Sequence, residues 1–360
     1  MAAVLASRAE AATAEKGHKR ETRMPKRTPY IAGAGASQEA GLPTGEELKK
    51  SIIAVLGTGR HDRPISDMFV CHALEHHARE RNQDIHLYVR AANRIQEAMP
   101  LAISIDNLLD AHRDDKEIEL CGKLAIVRSI LRAENESHLK ELNFHVVEKT
   151  WYTSFMKLLT ENCTKEDLSK RLESVALIIF NYDRCIEHFL HSAFQAYYGL
   201  ESHEADKLVS GMRIYHPYGV VGPLPWQNAK SSVAFGENEL GRYDLFEGVH
   251  QIKTFAEGTD PQSSEIVAIR NEFTGAARVV FLGFAYHEIN MDLLMSDNPM
   301  AGSSNIRCFG TAYEISRDDC ERIAGTLKGF FRTAKANVCI RDDVKCAGLF
   351  HEYWKSLSLA

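Results

Sequence analysis

The feature that most constrains the fold is an uninterrupted apolar run that ends in three polar residues. Val175 to Phe180 reads Val-Ala-Leu-Ile-Ile-Phe and is followed directly by Asn181, Tyr182 and Asp183. A strand that is apolar on both faces, rather than alternating, is typical of a parallel sheet with helices on both sides. Residues 185–198 have helical spacing, so the run predicts a strand–helix unit of an α/β protein.

Five further segments have the length and composition of strands. They are Thr28–Ala32, Met212–Tyr215, Val279–Leu282, Ile306–Phe309 and Ala336–Ile340. Strands that alternate with helices predict a Rossmann-like, doubly wound parallel sheet. Ligands of such sheets bind beyond the carboxyl ends of the strands. We therefore expect the strand ends at 33–37, 181–183, 216, 283 and 310–311 to meet in one crevice.

The segment between the first two predicted strands carries almost no strand signal. Helical spacing covers 65–80, 84–98, 116–133 and 138–159, and Thr44 is placed to cap a helix that begins with two glutamates. These patterns predict a large helical insertion over about 46–172, inside a catalytic domain that spans 28–360. Residues 1–27 are alanine-rich and then basic, which favours a flexible or self-association arm.

Composition and charge exclude several classes of protein. The chain has 360 residues, with 43 Lys and Arg against 49 Asp and Glu, a net charge of -6. This balance excludes a globally basic nucleic-acid coat, and we expect no direct nucleic-acid binding. No apolar run approaches the roughly 18 residues of a membrane helix, and residues 1–27 lack the apolar centre of a secretory signal. We expect a cytoplasmic protein that does not enter a membrane.

The cysteines do not form a metal-binding pattern. The chain has 8 of them, and no two are separated by only two residues. A zinc knuckle needs such closely spaced pairs, so we expect neither zinc nor another metal.

A glycine-rich segment follows the first predicted strand. It reads Gly33-Ala34-Gly35-Ala36-Ser37, and position 38 is glutamine where a dinucleotide fingerprint has a third glycine. Glycine lets a backbone approach a pyrophosphate, and a following helix supplies N–H groups. Taken alone, the segment fits either a phosphate cradle or a plain tight turn.

Polar residues elsewhere also have two interpretations. Asn181 and Asp183 fit a functional site or a cap of the following helix, and His216 fits a functional site or a contact within its own loop. Asp106 is best explained as a helix cap. Glu187, four residues after Asp183, would face the same side of the following helix.

The order of these pieces resembles the sirtuin-like family, and within it the bacterial sirtuin-like NAD hydrolases of antiphage defence. The matching pieces are Gly33-Ala34-Gly35-Ala36-Ser37 with Gly41-Leu42-Pro43, then Asn181-Tyr182-Asp183, His216, Gly283-Phe284 and Gly310-Thr311. The chain departs from protein-deacylating sirtuins, which have Asp-Phe-Arg at the position of Thr44-Gly45-Glu46 and carry zinc cysteines. In those sirtuins the catalytic histidine is followed directly by glycine, whereas here two residues separate His216 from Gly219.

The resemblance implies a set of residue roles in NAD cleavage, with NAD as the substrate and no other cofactor. Asn181 would orient the water or the ribose hydroxyls, Asp183 would bind a ribose or the nicotinamide side, and His216 would be a general base. The implied NAD-binding residues are Gly33, Ala34, Gly35 and Ser37 at the pyrophosphate, Gly283 at a close backbone approach, and Gly310 and Thr311 on the adenosine side.

The activity implied is that of an NAD glycohydrolase, which gives nicotinamide and ADP-ribose and empties the infected cell of NAD. The resemblance also implies a homo-oligomer with a HerA-type ATPase, or an Argonaute-type protein, as partner. Residues 217–226 are expected to form a mobile lid because proline, glycine and aromatic residues cluster there. The alternatives are a non-catalytic sensor of NAD or ADP-ribose and a protein deacylase or ADP-ribosyltransferase.

Overall fold

A six-stranded, all-parallel sheet forms the centre of the chain. The computed structural model describes residues 27–59, 63–228, 232–238, 245–254, 257, 262–295, 306–331 and 336–360. The predicted arm, except Arg27, lies outside these residues. The strands are β1 (Thr28–Ala32), β2 (Val175–Ile179), β3 (Ile214–Tyr215), β4 (Arg278–Leu282), β5 (Arg307–Thr311) and β6 (Asn337–Arg341). Their order, β3-β2-β1-β4-β5-β6, confirms the predicted Rossmann-like fold.

The middle of the sheet is β1, which pairs with β2 on one side and β4 on the other. Every residue of β1 is buried despite its polar composition. Tyr30 packs its ring against Phe155 and Phe350, at centroid distances of 5.0 and 6.2 Å. Ile31 joins the core cluster on the opposite face. Side chains alternate along a strand, so both faces of the sheet are covered by helices.

Helices fill the connections between the strands. Those between β1 and β2 are α1 (Ala34–Ser37), α2 (Gly45–Leu56), α3 (Met68–Glu80), α4 (His86–Ala98), α5 (Ile105–Ala111), α6 (Lys116–Glu136), α7 (Trp151–Thr160) and α8 (Leu168–Leu172). The later ones are α9 (Cys185–Tyr198), α10 (Ser202–Ser210), α11 (Leu245–Gln251), α12 (Ser264–Glu272), α13 (Glu288–Leu294), α14 (Arg317–Phe330) and α15 (Cys346–Leu357). Two short 3-10 turns cover Gln38–Ala40 and Met99–Leu101. No helix in the described ranges is long and apolar enough to cross a membrane.

The start of α2 matches its sequence pattern, and the predicted helix over 138–159 does not. Thr44 and Glu47 form a reciprocal capping box at the first turn of α2. The helix predicted from residue 138 begins only at Trp151. Asn143 explains part of the difference, since its side chain accepts from the backbone N–H of His145 and its carbonyl accepts the N–H groups of two later residues. Such local bonds compete with a helical ladder.

Helices α2 to α6 share a core that extends to the sheet, whereas α7 and α8 pack in the core of the sheet itself. The shared core contains Ile52 of α2, Ile95 of α4 and Leu124 of α6. Tyr182 and Tyr218, from the loops after β2 and β3, belong to the same cluster. The helical block is therefore packed directly against the carboxyl ends of these two strands.

Candidate functional site

The strand order changes direction between β1 and β4, and a crevice opens beyond their carboxyl ends. We call the space between residues 33–37 and 283–287 the switch-point crevice. Its larger cavity is about 570 Å³ and is lined by Gly33, Ala34, Gly283 and Phe284, among others. A smaller cavity of about 300 Å³ adjoins it and shares Gly35 and Gly283 as lining residues. These volumes suit a small-molecule ligand.

Two glycine segments cross at the floor of this crevice. The Gly33 N–H donates to the carbonyl of Leu282 at 2.9 Å, and the Gly35 N–H donates to that of Gly283 at 3.0 Å. A Cβ at Gly33 would lie 2.6 Å from the Gly283 oxygen. Gly283 itself has φ +53, and a Cβ there would lie 2.0 Å from the backbone nitrogen of Ala36. The glycines are required for the close crossing of two backbones, whatever ligand binds above them.

A buried hydrogen-bond network joins the segments that follow β1 and β2. The amide nitrogen of Asn181 donates to the carbonyl of Gly33 at 3.0 Å and to the Ser37 hydroxyl at 2.9 Å. That hydroxyl donates to Asp183 at 2.7 Å, and the other Asp183 oxygen accepts from the Cys185 N–H at 3.1 Å. Burial raises the pKa of Asp183. Asp183 thus accepts from the first N–H group of α9, the contact expected of a cap, and also fixes Ser37. Its part in a ligand site stays a prediction.

His216 lies on the other side of Asn181 from the crevice. Its Nε2 is 2.7 Å from a carboxylate oxygen of Glu187, and its Nδ1 is 3.4 Å from the Asn181 carbonyl. With Arg184 and Glu187 it lines a separate cavity of about 380 Å³, which we call the histidine cavity. Burial lowers the pKa of His216, but the charge and hydrogen bond of Glu187 outweigh it, so the pKa is raised.

Gly310 and Thr311, the two residues expected on the adenosine side, have different surroundings. The Thr311 hydroxyl accepts from the Gly283 N–H at 2.8 Å, and Thr311 lines the smaller cavity. Gly310 lines neither cavity of the crevice within the described residues. A Cβ at Gly310 would lie 2.3 Å from the hydroxyl of Tyr286, so this glycine provides room for an aromatic side chain.

Sequence reasoning missed the role of Asp106. Ser104 caps α5, since its hydroxyl accepts from the Asn107 N–H at 3.1 Å. Asp106 instead accepts a hydrogen bond from the Tyr182 hydroxyl and lines the larger cavity. Burial raises the pKa of this carboxyl.

The two cavities of the crevice differ in charge. The larger cavity is lined by four acidic residues and contains no lysine or arginine among its described lining residues; the acids are Asp106, Asp110, Glu288 and Asp292. Aromatic side chains of Phe180, Tyr218 and Phe284 line it as well. The smaller cavity is lined by one cation, Lys345, and one acid, Glu314. The larger cavity is therefore suited to a cationic aromatic group, and the smaller cavity, whose two charges balance, has Lys345 for an anionic group.

The segment expected to be a mobile lid, residues 217–226, packs against neighbouring elements in the structure. Val221 is fully buried, and the Gly219 backbone pairs with that of Ile252. The Trp226 ring stacks on His191 at a centroid distance of 4.8 Å. Among the described residues, no group of three or more His, Cys, Asp or Glu side chains is arranged to hold a metal ion.

Fold and site together define a Rossmann-like α/β protein with a ligand-sized crevice at its topological switch point. Comparison with models of known protein families and with curated proteins finds no match.

Proposed function

We propose that the chain is an NAD glycohydrolase that cleaves the bond between nicotinamide and ribose, giving nicotinamide and ADP-ribose. The observation that carries the proposal is the pair of joined cavities of about 570 and 300 Å³ across the crossing of Gly33 and Gly283. A dinucleotide has two bulky ends joined by a narrow pyrophosphate, and the glycine crossing lies where the pyrophosphate would pass.

The charge difference between the cavities supports one orientation of NAD. The nicotinamide ring of NAD is a cationic aromatic group, so it belongs in the larger cavity with Asp106, Asp110 and the aromatic side chains. The adenosine half then lies in the smaller cavity beside Thr311, where Lys345 is available to a phosphate. The backbone of residues 33–35 adjoins both halves.

The reaction makes modest chemical demands on the protein. Breaking the bond to nicotinamide develops oxocarbenium-like positive charge on the ribose, and the leaving group departs neutral. The acidic larger cavity stabilises that charge. Asn181 is held rigidly by Gly33 and Ser37 beneath the crevice, and we assign it the orientation of the ribose or of the attacking water.

An enzyme that consumes cellular NAD must be inactive until an infection activates it. The resemblance to defence-associated sirtuin-like proteins supports a role as an abortive-infection effector that acts in the cytoplasm. We propose activation through a homo-oligomer that assembles with a HerA-type ATPase, with an Argonaute-type protein as the alternative partner.

One observation favours a second candidate function, a non-catalytic sensor of NAD or ADP-ribose. The described residues that line the larger cavity do not include Asn181, Asp183 or His216. Instead, Asp183 accepts a hydrogen bond from Ser37, and His216 contacts the backbone carbonyl of Asn181. A sensor needs the glycine crossing for binding but has no need of Asn181 as a reacting group.

The deciding experiment measures nicotinamide release from NAD by the full chain, alone and with a HerA-type ATPase. Nicotinamide that appears with the wild type, and is lost in Asn181→Ala, supports the hydrolase. Binding of NAD without release in either condition supports the sensor. Release that requires the ATPase places the control of activity in the assembly.

A further inference from the structure

The imidazole of His216 lies between two groups that only accept hydrogen bonds. Nε2 is 2.7 Å from a carboxylate oxygen of Glu187, and Nδ1 is 3.4 Å from the backbone carbonyl of Asn181. A neutral imidazole has one N–H and satisfies one of these acceptors, whereas an imidazolium satisfies both. The contacts therefore select the charged ring, with both nitrogens as donors.

The surrounding charges favour the same state. Glu187 faces His216 from α9, and the carboxylate of Asp183 adds a second negative charge that acts on the ring. Arg184 also lines the histidine cavity, but its guanidinium is paired with the buried carboxylate of Glu134. The other polar residues that line the cavity are neutral amides and a hydroxyl: Ser210, Gln227, Asn228 and Gln251. The field at His216 is negative, and it stabilises a cation.

The geometry points to Glu187 as a positioning residue that holds His216 as an imidazolium, whose Nδ1–H in turn fixes the carbonyl of Asn181 beside the crevice. The inference rests on the proposed function in one respect, namely that Asn181 takes part in NAD cleavage. It assigns His216 a different role from the general base that the resemblance implies. With both ring nitrogens donating, His216 has no lone pair with which to accept a proton from water.

The two roles predict opposite effects of pH. A histidine base is active when neutral, so turnover rises with pH through its pKa. A positioning imidazolium works when charged, so turnover falls as pH rises through the pKa of His216, which Glu187 keeps above its ordinary value. In Glu187→Gln the negative charge of the carboxylate is lost, so the pH at which turnover falls should move lower by about 1–3 pH units.

The direct test is a titration of the His216 ring nitrogens by NMR in the full chain labelled with 15N-histidine. The His216 signals are assigned by their loss in His216→Gln. We expect both ring nitrogens of the wild type to be protonated at neutral pH, and the Glu187→Gln ring to deprotonate at lower pH. The inference is overturned if the wild-type His216 ring loses its second proton at the ordinary histidine pKa. It is also overturned if His216 titrates at the same pH in the wild type and in Glu187→Gln. If Glu187→Gln does not fold, the titration of His216 in the wild type is by itself the test of the inference.

The matched control is Asp206→Asn, because His191 and Asp206 form a second histidine–carboxylate pair at 2.7 Å that does not contact Asn181. This variant should leave the titration of His216 and the pH profile of nicotinamide release unchanged. If turnover rises with pH in parallel with the deprotonation of His216, then His216 acts as a general base and the positioning role is refuted.

The proposed function fails separately from this inference. If no nicotinamide is released under any condition, the hydrolase is wrong, and the NMR titration still reports whether Glu187 holds the imidazolium. The amide NMR signals of Asn181 and Tyr182, which flank the carbonyl that His216 contacts, then replace turnover. Signals that are identical in wild type and Glu187→Gln at every pH would remove the effect on Asn181.

Discussion

The Ser37 hydroxyl donates a 2.7 Å hydrogen bond to the carboxylate of Asp183, across 146 residues of sequence. The same hydroxyl accepts from the amide of Asn181 at 2.9 Å. Since β1 and β2 are adjacent and parallel, this one side chain fixes the spacing between the segments that follow them. A serine on a one-turn helix therefore positions both polar residues of the strand–Asn-Tyr-Asp motif.

Replacing Ser37 with alanine should destabilise the protein and impair NAD cleavage together. Ser37→Ala removes one buried hydrogen bond from Asp183 and one from Asn181, which costs about 1–3 kcal/mol. The free energy of unfolding from urea titration and the rate of nicotinamide release measure the two effects. Ser51→Ala is the control, because the Ser51 hydroxyl donates to the Glu47 carbonyl within α2 in an exposed hydrogen bond. Equal stability of the two variants would show that the network contributes nothing.

A methyl group at Gly33 should disrupt the crossing of the two backbones. The Cβ of Gly33→Ala would lie 2.6 Å from the Gly283 oxygen and 2.8 Å from the Phe284 Cα, and both are backbone atoms. We expect a loss of about 1–3 kcal/mol in stability and weaker NAD binding by calorimetry. Gly45→Ala is the matched control, since Gly45 also lines the larger cavity and a Cβ there meets nothing within 4 Å. NAD affinity that falls equally in both variants would contradict a specific need for the crossing.

The fold was predictable because the strands differ sharply from the helices in composition. Val175–Ile179 is fully apolar and forms a buried strand, as predicted. The alternation of such runs with helical spacing predicts a parallel sheet, and the sheet has that topology. The prediction was wrong for residues 138–150, where turns replace a helix. Apolar spacing does not register the side-chain contacts of Asn143 that favour the turns.

The site was only partly predictable, because its partners are set by tertiary packing. Motif order alone indicated Ser37, Asn181 and Asp183, and these three residues contact one another. The bond between Tyr182 and Asp106 spans 76 residues, and nothing local in the sequence pairs them. Glu187 was visible only as a residue on the same helix side as Asp183. Its contact with His216 depends on where β3 ends relative to α9.

Substitution of Asn181 should separate an enzyme from a sensor. Asn181→Ala removes the amide that contacts Gly33 and Ser37. If the chain is a hydrolase, we expect turnover to fall by about 100-fold or more while the NAD dissociation constant changes little. Nicotinamide release by chromatography and calorimetric binding measure these separately. Asn93→Ala, on the outward side of α4, is the control and should leave both unchanged. A variant that keeps full turnover would remove Asn181 from the mechanism.

The Tyr182 hydroxyl should stabilise the protein more at neutral than at acid pH. It donates to Asp106, a half-buried residue whose carboxyl pKa is raised by burial and lowered in part by this bond. Because the pKa of Asp106 is raised in the folded state, the folded protein binds this proton more tightly than the unfolded chain does. The resulting contribution to the free energy of unfolding is complete at low pH and is lost as the pH rises through the folded-state pKa.

Tyr182→Phe removes the opposing effect of the hydroxyl, so the pKa of Asp106 rises further and the loss of stability at high pH grows. We expect a destabilisation of about 1–3 kcal/mol near neutral pH and less at acid pH. Urea unfolding at about pH 5 and about pH 8 tests this difference. In the Asp106→Asn background the pH dependence of the effect should vanish, because no carboxyl remains to ionise. Tyr198→Phe, which loses a 2.9 Å bond to the Cys163 carbonyl, should destabilise without that dependence. A destabilisation by Tyr182→Phe that is the same at both pH values would mean that Asp106 does not ionise in this range.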